Sequence, residues 1–225
     1  METTVSDICV FMNEYASLTY AEKWDNPGLL LGHVEAPVHK IMVALDLMPE
    51  VAEQAIEEEV DLIITHHPYY FHLPSSLAVT DTKMEVMYEL IKHDIAVYAA
   101  HTNLDAARGG VNDVLADRLG LNDVTEIPRK DCPEQGLARI GVLGEPMELK
   151  DFAAYVRDQL GAAHVTFAGG EEPVFKVAVV GGSGADFMDD AMAAGADTLV
   201  TGDVKYHVAQ KALNMGLNLV DGTHQ

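Results

Sequence analysis

The chain has 225 residues, of which 48% are hydrophobic, 22% are charged and 7% are aromatic. This composition is typical of a globular protein, and it excludes a disordered tail, a collagen-like repeat and a coiled coil. The length allows one large or two small domains with a sizeable core. The net charge of −22 excludes tight nonspecific binding to nucleic acid or to anionic lipid, because such a surface repels both.

The sequence shows no targeting or membrane segment. No apolar run reaches the roughly 18 residues that span a bilayer, and residues 1–4 lack the basic and apolar regions of a signal peptide. Cys9 and Cys132 are too few for a disulfide framework, and they have no spacing typical of a metal site. We therefore expect a cytoplasmic protein.

Predicted helices and strands alternate along the first 121 residues. Apolar residues between Val5 and Ala16 follow helical spacing, which predicts an opening helix. Asn-Pro-Gly at 26–28 then predicts a loop. Further along, apolar runs predict buried strands at 41–45, 62–64 and 95–100, and helical spacing predicts helices at 49–59, around 84–91 and at 111–119.

The polar stretch 122–135 contains two prolines and has no period, so we expect it to link two lobes, residues 1–121 and 136–225. The second lobe alternates in the same way. Its predicted strands are 137–143, 164–168, 175–180, 198–200 and 217–220, and its predicted helices are 148–160, 183–194 and 204–214. This alternation predicts an α/β fold with mostly parallel or mixed sheets covered by helices.

Residues able to do chemistry collect where the predicted strands end. A strand buried on both faces is apolar, so its reactive side chains appear where it emerges. Ligands of open parallel sheets bind beyond the carboxyl ends of the strands. The polar strand ends are Asp46, His66-His67, 101–105, Asp203 and 221–224.

The most specific single feature is the pair His66-His67. Adjacent side chains of an extended chain point to opposite sides, so two such histidines do not normally share one metal ion. They could instead serve two neighbouring ions, or a single ion if the chain turns at Pro68. The alternative is a polar strand end at which both histidines are simply hydrogen-bonded.

Asp105 and His224 extend this set. Asp105 follows the next predicted strand, where a carboxylate could bridge two cations and complete an imidazole-plus-oxygen ligand set. The alternative for Asp105 is a cap for the helix that begins near Gly109. His224 supplies a further imidazole, although it could equally belong to a frayed terminus.

Weaker candidates lie in the second lobe. The turn 181–184 follows a strand and opens a helix, where backbone N–H groups can bind phosphate, but a tight turn with a serine cap explains it better. Asp203, Lys205 and His207 offer acid–base groups, and a solvated helix start explains them equally well. The sequence has no Gly-x-Ser-x-Gly element, which disfavours nucleophilic acyl transfer.

A larger set of motifs runs in order through nearly the whole chain. It comprises Asp25-Asn26-Pro27-Gly28-Leu29, Thr65-His66-His67-Pro68, His101-Thr102-Asn103-Leu104-Asp105, Thr201-Gly202-Asp203 with Tyr206-His207, and Asp221-Gly222-Thr223-His224. This set resembles the Nif-three-like dinuclear metal centre family, whose members are often labelled GTP cyclohydrolase type 2 homologues. The His-His-Pro and Asn-Leu-Asp elements are specific in combination.

The resemblance implies two similar α/β lobes, a toroidal hexamer and two divalent metal ions per chain that face an inner cavity. By position, the implied metal ligands are His66, His67, Asp105 and His224. The family also has a glutamate ligand shortly after the last histidine, at a position beyond Gln225. The length fits the short form, which lacks the extra domain that some relatives insert between the lobes.

Two functions fit these expectations. The first is a metal-dependent hydrolase acting on a nucleotide-like or other small substrate. The family label GTP cyclohydrolase suggests ring opening of GTP. Paired cations would activate a water molecule, and His101 or Asp203 would move protons. The second is a non-catalytic metal carrier or scaffold built as a ring, which the acidic surface and spare histidines also fit. Mixed imidazole and carboxylate ligands suit Zn, Fe or Mn.

Overall fold

The structure is a computed structural model that describes residues 2–128 and 136–224. The chain divides into two compact units, the first ending at Ala107 and the second beginning at Arg108. In the first unit the strands are β1 (Gly28–Leu31), β2 (Ile41–Ala44), β3 (Leu62–Thr65) and β4 (Ala96–Ala99). Their order in the sheet is β1-β4-β3-β2, with β2, β3 and β4 parallel and β1 antiparallel to β4.

The helices of the first unit are α1 (Val5–Tyr15), α2 (Pro49–Glu57), α3 (Thr82–Lys92) and α4 (Thr102–Ala106). The start of α1 is a capping box, in which the Thr4 side chain accepts from the Asp7 backbone and the Asp7 side chain accepts from the Thr4 backbone. Pro49 stands at the start of α2, where its missing N–H costs nothing. Asp81 caps α3, where its side chain accepts a hydrogen bond from the Met84 backbone.

Alternating residues of β3 and β4 supply two cores, one on each face of the first sheet. Ile63 and Val97 pack into a cluster with Leu90 of α3 and Ala55 of α2. On the other face a second cluster covers the sheet with α1; it contains Val5, Met12, Leu62, Ala96 and Tyr98. Both cores hold the carboxyl ends of β3 and β4 in fixed positions.

Three features of the first unit differ from the sequence predictions. No strand was predicted at β1, which begins at the last residue of the predicted loop. Helix α4 forms where the sequence indicated only a polar strand end, at 101–105. Strand β2 was expected to be buried, but Ile41 is 40% exposed and Val43 is 77% exposed. The reason is that β2 lies at the edge of the sheet, so that only alternate residues, such as Met42, reach a core.

The second unit contains a six-stranded mixed sheet. Its strands are β5 (Asn122–Ile127), β6 (Ala138–Met147), β7 (Thr166–Ala168), β8 (Val174–Val179), β9 (Thr198–Thr201) and β10 (Asn218–Asp221). Their order is β5-β6-β8-β9-β10-β7, and only β8, β9 and β10 run parallel. The described helices are α5 (Val111–Arg118), α6 (Leu149–Leu160), α7 (Met188–Ala193) and α8 (Tyr206–Met215).

Strand β5 forms where the sequence indicated an irregular link. It pairs with β6 in antiparallel register, and Ile127 at its end is buried. Sheet pairing thus overrides a polar sequence with little strand character of its own. The division between the units comes earlier than the expected link 122–135, and residues 129–135 of that link lie outside the described residues.

An apolar core of the second unit lies between the sheet and the helices α5 and α6. It contains Leu119, Phe152, Val156, Val177, Val179, Val200 and Val220. The predicted mixed α/β fold, with sheets covered by helices, is confirmed. Throughout residues 2–128 and 136–224, every helix falls short of the length and apolar character that a bilayer crossing requires.

Candidate metal centre

His66 and His67 follow the end of β3 directly, at a bend in the chain. The hydroxyl of Thr65 donates a hydrogen bond to the carbonyl of His67 at 2.9 Å, which fixes that bend. Successive side chains therefore stop pointing to opposite sides after Thr65. As a result both imidazoles lie on the same side, with ring centroids 4.9 Å apart.

His101 and Asp105 come to the same place through the short helix α4. His101 is the residue before the helix, and Asp105 lies one turn later on the same helix face. Asn103 holds this turn in position, because its side chain accepts from the His101 backbone and donates to the carbonyl of Ala16. Gly110 stands before α5 and has no side chain to cap it, so the alternative role of Asp105 as a cap for this helix stays a prediction.

The first unit therefore brings three histidines and a carboxylate together. One ring nitrogen from each of His66, His67 and His101 lies within 4.8 Å of the other two. Asp105 is 8% exposed, and its Oδ1 lies 3.6 Å from Nε2 of His66. Two ligand atoms about 2.1 Å from one tetrahedral ion lie about 3.4 Å apart, so this pair has the separation of co-ligands.

All three imidazoles are oriented through Nδ1. His66 contacts the carbonyl of Ala100 at 2.8 Å, His67 contacts Asp46 at 2.7 Å, and His101 contacts Asp25 at 2.8 Å. Carbonyl and carboxylate oxygens accept hydrogen bonds, so Nδ1 carries the hydrogen and Nε2 keeps its lone pair. This arrangement is typical of metal-binding histidines, and the donor set fits a divalent transition metal.

Asp25 is the most deeply buried of these orienting groups, with a side chain that is 0% exposed. Besides His101, it accepts hydrogen bonds from the backbone N–H and the hydroxyl of Thr102. Burial is the largest single effect and raises the pKa of the Asp25 carboxyl, but the contacts with His101, Thr102 and the Asn26 backbone together lower it more, so the pKa lies below its ordinary value. Asp25 therefore stays ionised and holds the His101 ring.

Sequence reasoning placed Asp25 and Asp46 in motifs or at strand ends without giving either of them an orienting role. The signal for Asp46 was present, since it follows β2, which is the neighbour of β3 in the sheet. For Asp25 the partner is 76 residues away in sequence, and only the folded chain shows the contact.

In the second unit, His224 follows β10, the neighbour of β9 in the sheet. Its Nδ1 contacts Asp203 Oδ2 at 2.6 Å. A carboxylate thus orients His224, as carboxylates also orient His67 and His101. Asp203 and Thr223 both have positive φ, +56° and +70°. Such backbone conformations are strained in residues other than glycine and gather at functional sites.

The glycine-rich turn 181–184 lies beside His224. The Gly182 carbonyl accepts from the Gly202 backbone and the Thr201 hydroxyl, which ties the ends of β8 and β9 together. A β-carbon built on Gly182 would lie 3.2 Å from Nε2 of His224. The expected serine cap is not formed, because the helical turn that follows starts at Gly184 without a side-chain cap.

Lys205 and His207, the other candidates in this unit, occupy the start of α8. Lys205 is the residue before the helix and His207 is exposed in its first turn. Neither is among the groups that could hold a metal within the part of the chain that the structure describes. Their acid–base roles remain predictions.

Fold and site together define an α/β protein with a candidate multi-histidine metal centre. The family profile described as Duf34/NIF3 (NGG1p interacting factor 3) matches residues 3–225. The chain belongs to this family. Among curated relatives, a GTP cyclohydrolase 1 type 2 homolog of Clostridium perfringens is 38% identical over 98% of this chain and 85% of its own length. The homolog from Clostridium acetobutylicum is 34% identical, with 100% and 85% covered.

Solved structures agree with this assignment. A Staphylococcus aureus hypothetical protein is similar with a TM-score of 0.92 and 31% identity, covering 100% of this chain and 87% of that one. A Bacillus cereus protein related to NIF3 has a TM-score of 0.90 and 27% identity, with 99% and 88% covered. The predicted family resemblance is thereby confirmed.

Proposed function

We propose that this chain is a dinuclear metal-binding protein that acts as a metal-dependent hydrolase on a small substrate. The observation that carries the proposal is the shared orientation of its histidines through Nδ1. The ligands proposed in the first unit are His66, His67, His101 and Asp105, and in the second unit His224 is proposed separately as a ligand. The ligand role of His224 rests on the resemblance and on its contact with Asp203.

His101 takes a different role in this proposal from the proton transfer expected from the sequence. Its Nδ1 is held by Asp25, and its other nitrogen belongs to the cluster with His66 and His67. We therefore assign His101 as a ligand and Asp203 as a residue that positions His224. Proton transfer by Asp203 stays a prediction, and proton transfer by His101 is the alternative to its role as a ligand.

Imidazole and carboxylate ligands favour Zn, Fe or Mn at this centre. Two such ions would supply Lewis acidity and a water molecule of lowered pKa. The chain's own contribution is to hold the imidazoles in one tautomer, so that little reorganisation is needed when metal binds. The relatives named GTP cyclohydrolase 1 type 2 homolog make GTP the first compound to test.

The test compares metal-depleted protein with protein reloaded with Zn, Fe or Mn, and follows the consumption of GTP and of small esters, amides and phosphoesters. We expect turnover of at least one compound that requires the reloaded metal and is lost in His66→Ala. Turnover that survives metal removal would contradict the proposal. Bound metal without any turnover would favour the carrier or scaffold function instead.

A glycine beside His224 provides a test of that ligand without removing it. We expect Gly182→Ala to weaken metal binding roughly tenfold, because the added β-carbon would lie 3.2 Å from His224 Nε2 and φ at this position is +62°. The control is Gly144→Ala, where nothing lies within 4 Å of the added carbon. Equal metal affinities of the two variants, by metal titration, would contradict the role of His224.

The ring hexamer and the cytoplasmic location implied above stay predictions. Exposed apolar side chains on β2, such as Val43, fit a chain that self-associates. A mass in solution near six times the 24.4 kDa of the chain would support the hexamer, and a monomeric mass would contradict it.

A further inference from the structure

Two large aromatic side chains stand beside the histidine cluster of the first unit. Trp24 is 57% exposed and Phe71 is 46% exposed, and their ring centroids lie 5.9 Å apart. Each centroid also lies 5.9 Å from that of the His101 ring. An exposed aromatic pair thus adjoins the histidine cluster.

The segments that carry these two rings are tied together. The Asn26 side chain donates to the carbonyl of Tyr70 at 2.7 Å, which joins the residues next to Trp24 and Phe71. Asp25, between Trp24 and Asn26, is held by His101 and Thr102. The aromatic pair is therefore fixed relative to the cluster by the same contacts that orient His101.

The angles between the rings describe how the indole of Trp24 meets its two neighbours. Trp24 meets the His101 ring edge-on at 75°, and Trp24 and Phe71 are tilted by 52°. Neither ring covers the face of the indole by parallel stacking. Because the indole is already held in place, little conformational entropy is lost when a flat ring binds to it. Stacking on an aromatic side chain stabilises the binding of any heterocyclic base.

We propose that Trp24 and Phe71 form a subsite that stacks the planar heteroaromatic ring of the substrate next to the histidine cluster. The ligand class is a fused nitrogen heterocycle such as a purine, since its large flat π-face can stack on the indole ring. This inference rests on the proposed function for its position beside a metal centre, but the stacking itself needs no metal.

Trp24 is the only tryptophan of the chain, so tryptophan fluorescence, excited selectively over that of the tyrosines, reports on this subsite. The probes are guanosine, adenosine and ribose, titrated into metal-depleted protein. We expect saturable quenching by the two nucleosides and none by ribose. Quenching by ribose, or the absence of saturation with both nucleosides, would overturn the inference.

Matched variants locate the binding. Phe71→Ala is expected to weaken nucleoside binding roughly 5- to 100-fold, and Trp24→Ala, followed by calorimetry, should do the same. The control is Phe11→Ala, which removes another exposed phenylalanine of the same unit, 61% exposed and carried by α1. Equal affinities in the Phe71 and Phe11 variants would overturn the subsite. So would a change of fluorescence on dilution without ligand, which would identify the pair as a contact between copies of the chain.

The two proposals can fail separately. His66→Ala is expected to lose metal and to keep the nucleoside quenching of the metal-depleted protein. If the chain binds two metal ions but no nucleoside, the stacking subsite is wrong and the metal centre stands. If nucleoside binding depends on Phe71 but no metal binds, the proposed function is wrong and the subsite stands.

Discussion

Replacing His66 or Asp105 by alanine is expected to weaken metal binding by more than about 100-fold, which exceeds the usual effect of losing an orienting residue. Oδ1 of Asp105 and Nε2 of His66 lie 3.6 Å apart, so each substitution removes one of two donors placed for the same ion. We expect the fold to persist, because neither side chain belongs to the apolar clusters of the first unit. Metal content after dialysis and the circular dichroism spectrum measure the two effects.

Two control variants separate the loss of a metal ligand from the general effect of removing an imidazole or a surface charge. His93 is exposed and its Nδ1 contacts the backbone carbonyl of Glu89, as Nδ1 of His66 contacts that of Ala100. His93→Ala therefore removes a similarly oriented imidazole away from the cluster, and Asp117→Ala removes an exposed helical carboxylate. Unchanged metal content in both His66→Ala and Asp105→Ala would contradict the ligand assignment.

Asp25→Ala is expected to reduce metal affinity about 10- to 100-fold without touching a proposed ligand. The substitution also leaves donors of His101 and Thr102 without their buried acceptor. We therefore expect the free energy of unfolding of the metal-free protein to fall by about 2–3 kcal/mol. Metal titration measures the first effect and urea unfolding measures the second.

Asp46 gives the comparison for Asp25. It orients His67 at 2.7 Å, but its side chain is 49% exposed. Asp46→Asn should therefore weaken metal binding while changing the free energy of unfolding very little. Equal losses of stability in the Asp25 and Asp46 variants, or unchanged metal affinity in both, would show that these carboxylates do not orient metal-binding histidines.

Much of the fold could be predicted from the sequence because its central strands are apolar runs separated by amphipathic helices. Strands β3, β4 and β9 lie at the predicted places for this reason. Strand β1 was not predicted, because it is formed by antiparallel pairing with β4, which lies far from it in the sequence. Helix α4 has only five residues, which is too short to show a helical period.

The site could be predicted only as a set of residues at strand ends. The sequence indicated His66, His67 and Asp105, but the alternation of an extended chain argued against both histidines facing one ion. The bend after β3 removes that objection, and it depends on a hydrogen bond between Thr65 and His67. The orienting role of Asp25 and the place of Trp24 beside His101 come from contacts between distant parts of the first unit.

Elemental analysis of protein purified without added metal tests whether the chain carries a dinuclear metal centre. We expect about two transition-metal ions per chain, and their loss in His66→Ala. A chain free of transition metal, both as purified and after incubation with Zn, Fe and Mn followed by desalting, would contradict this expectation. The histidine cluster would then be a hydrogen-bonded strand end.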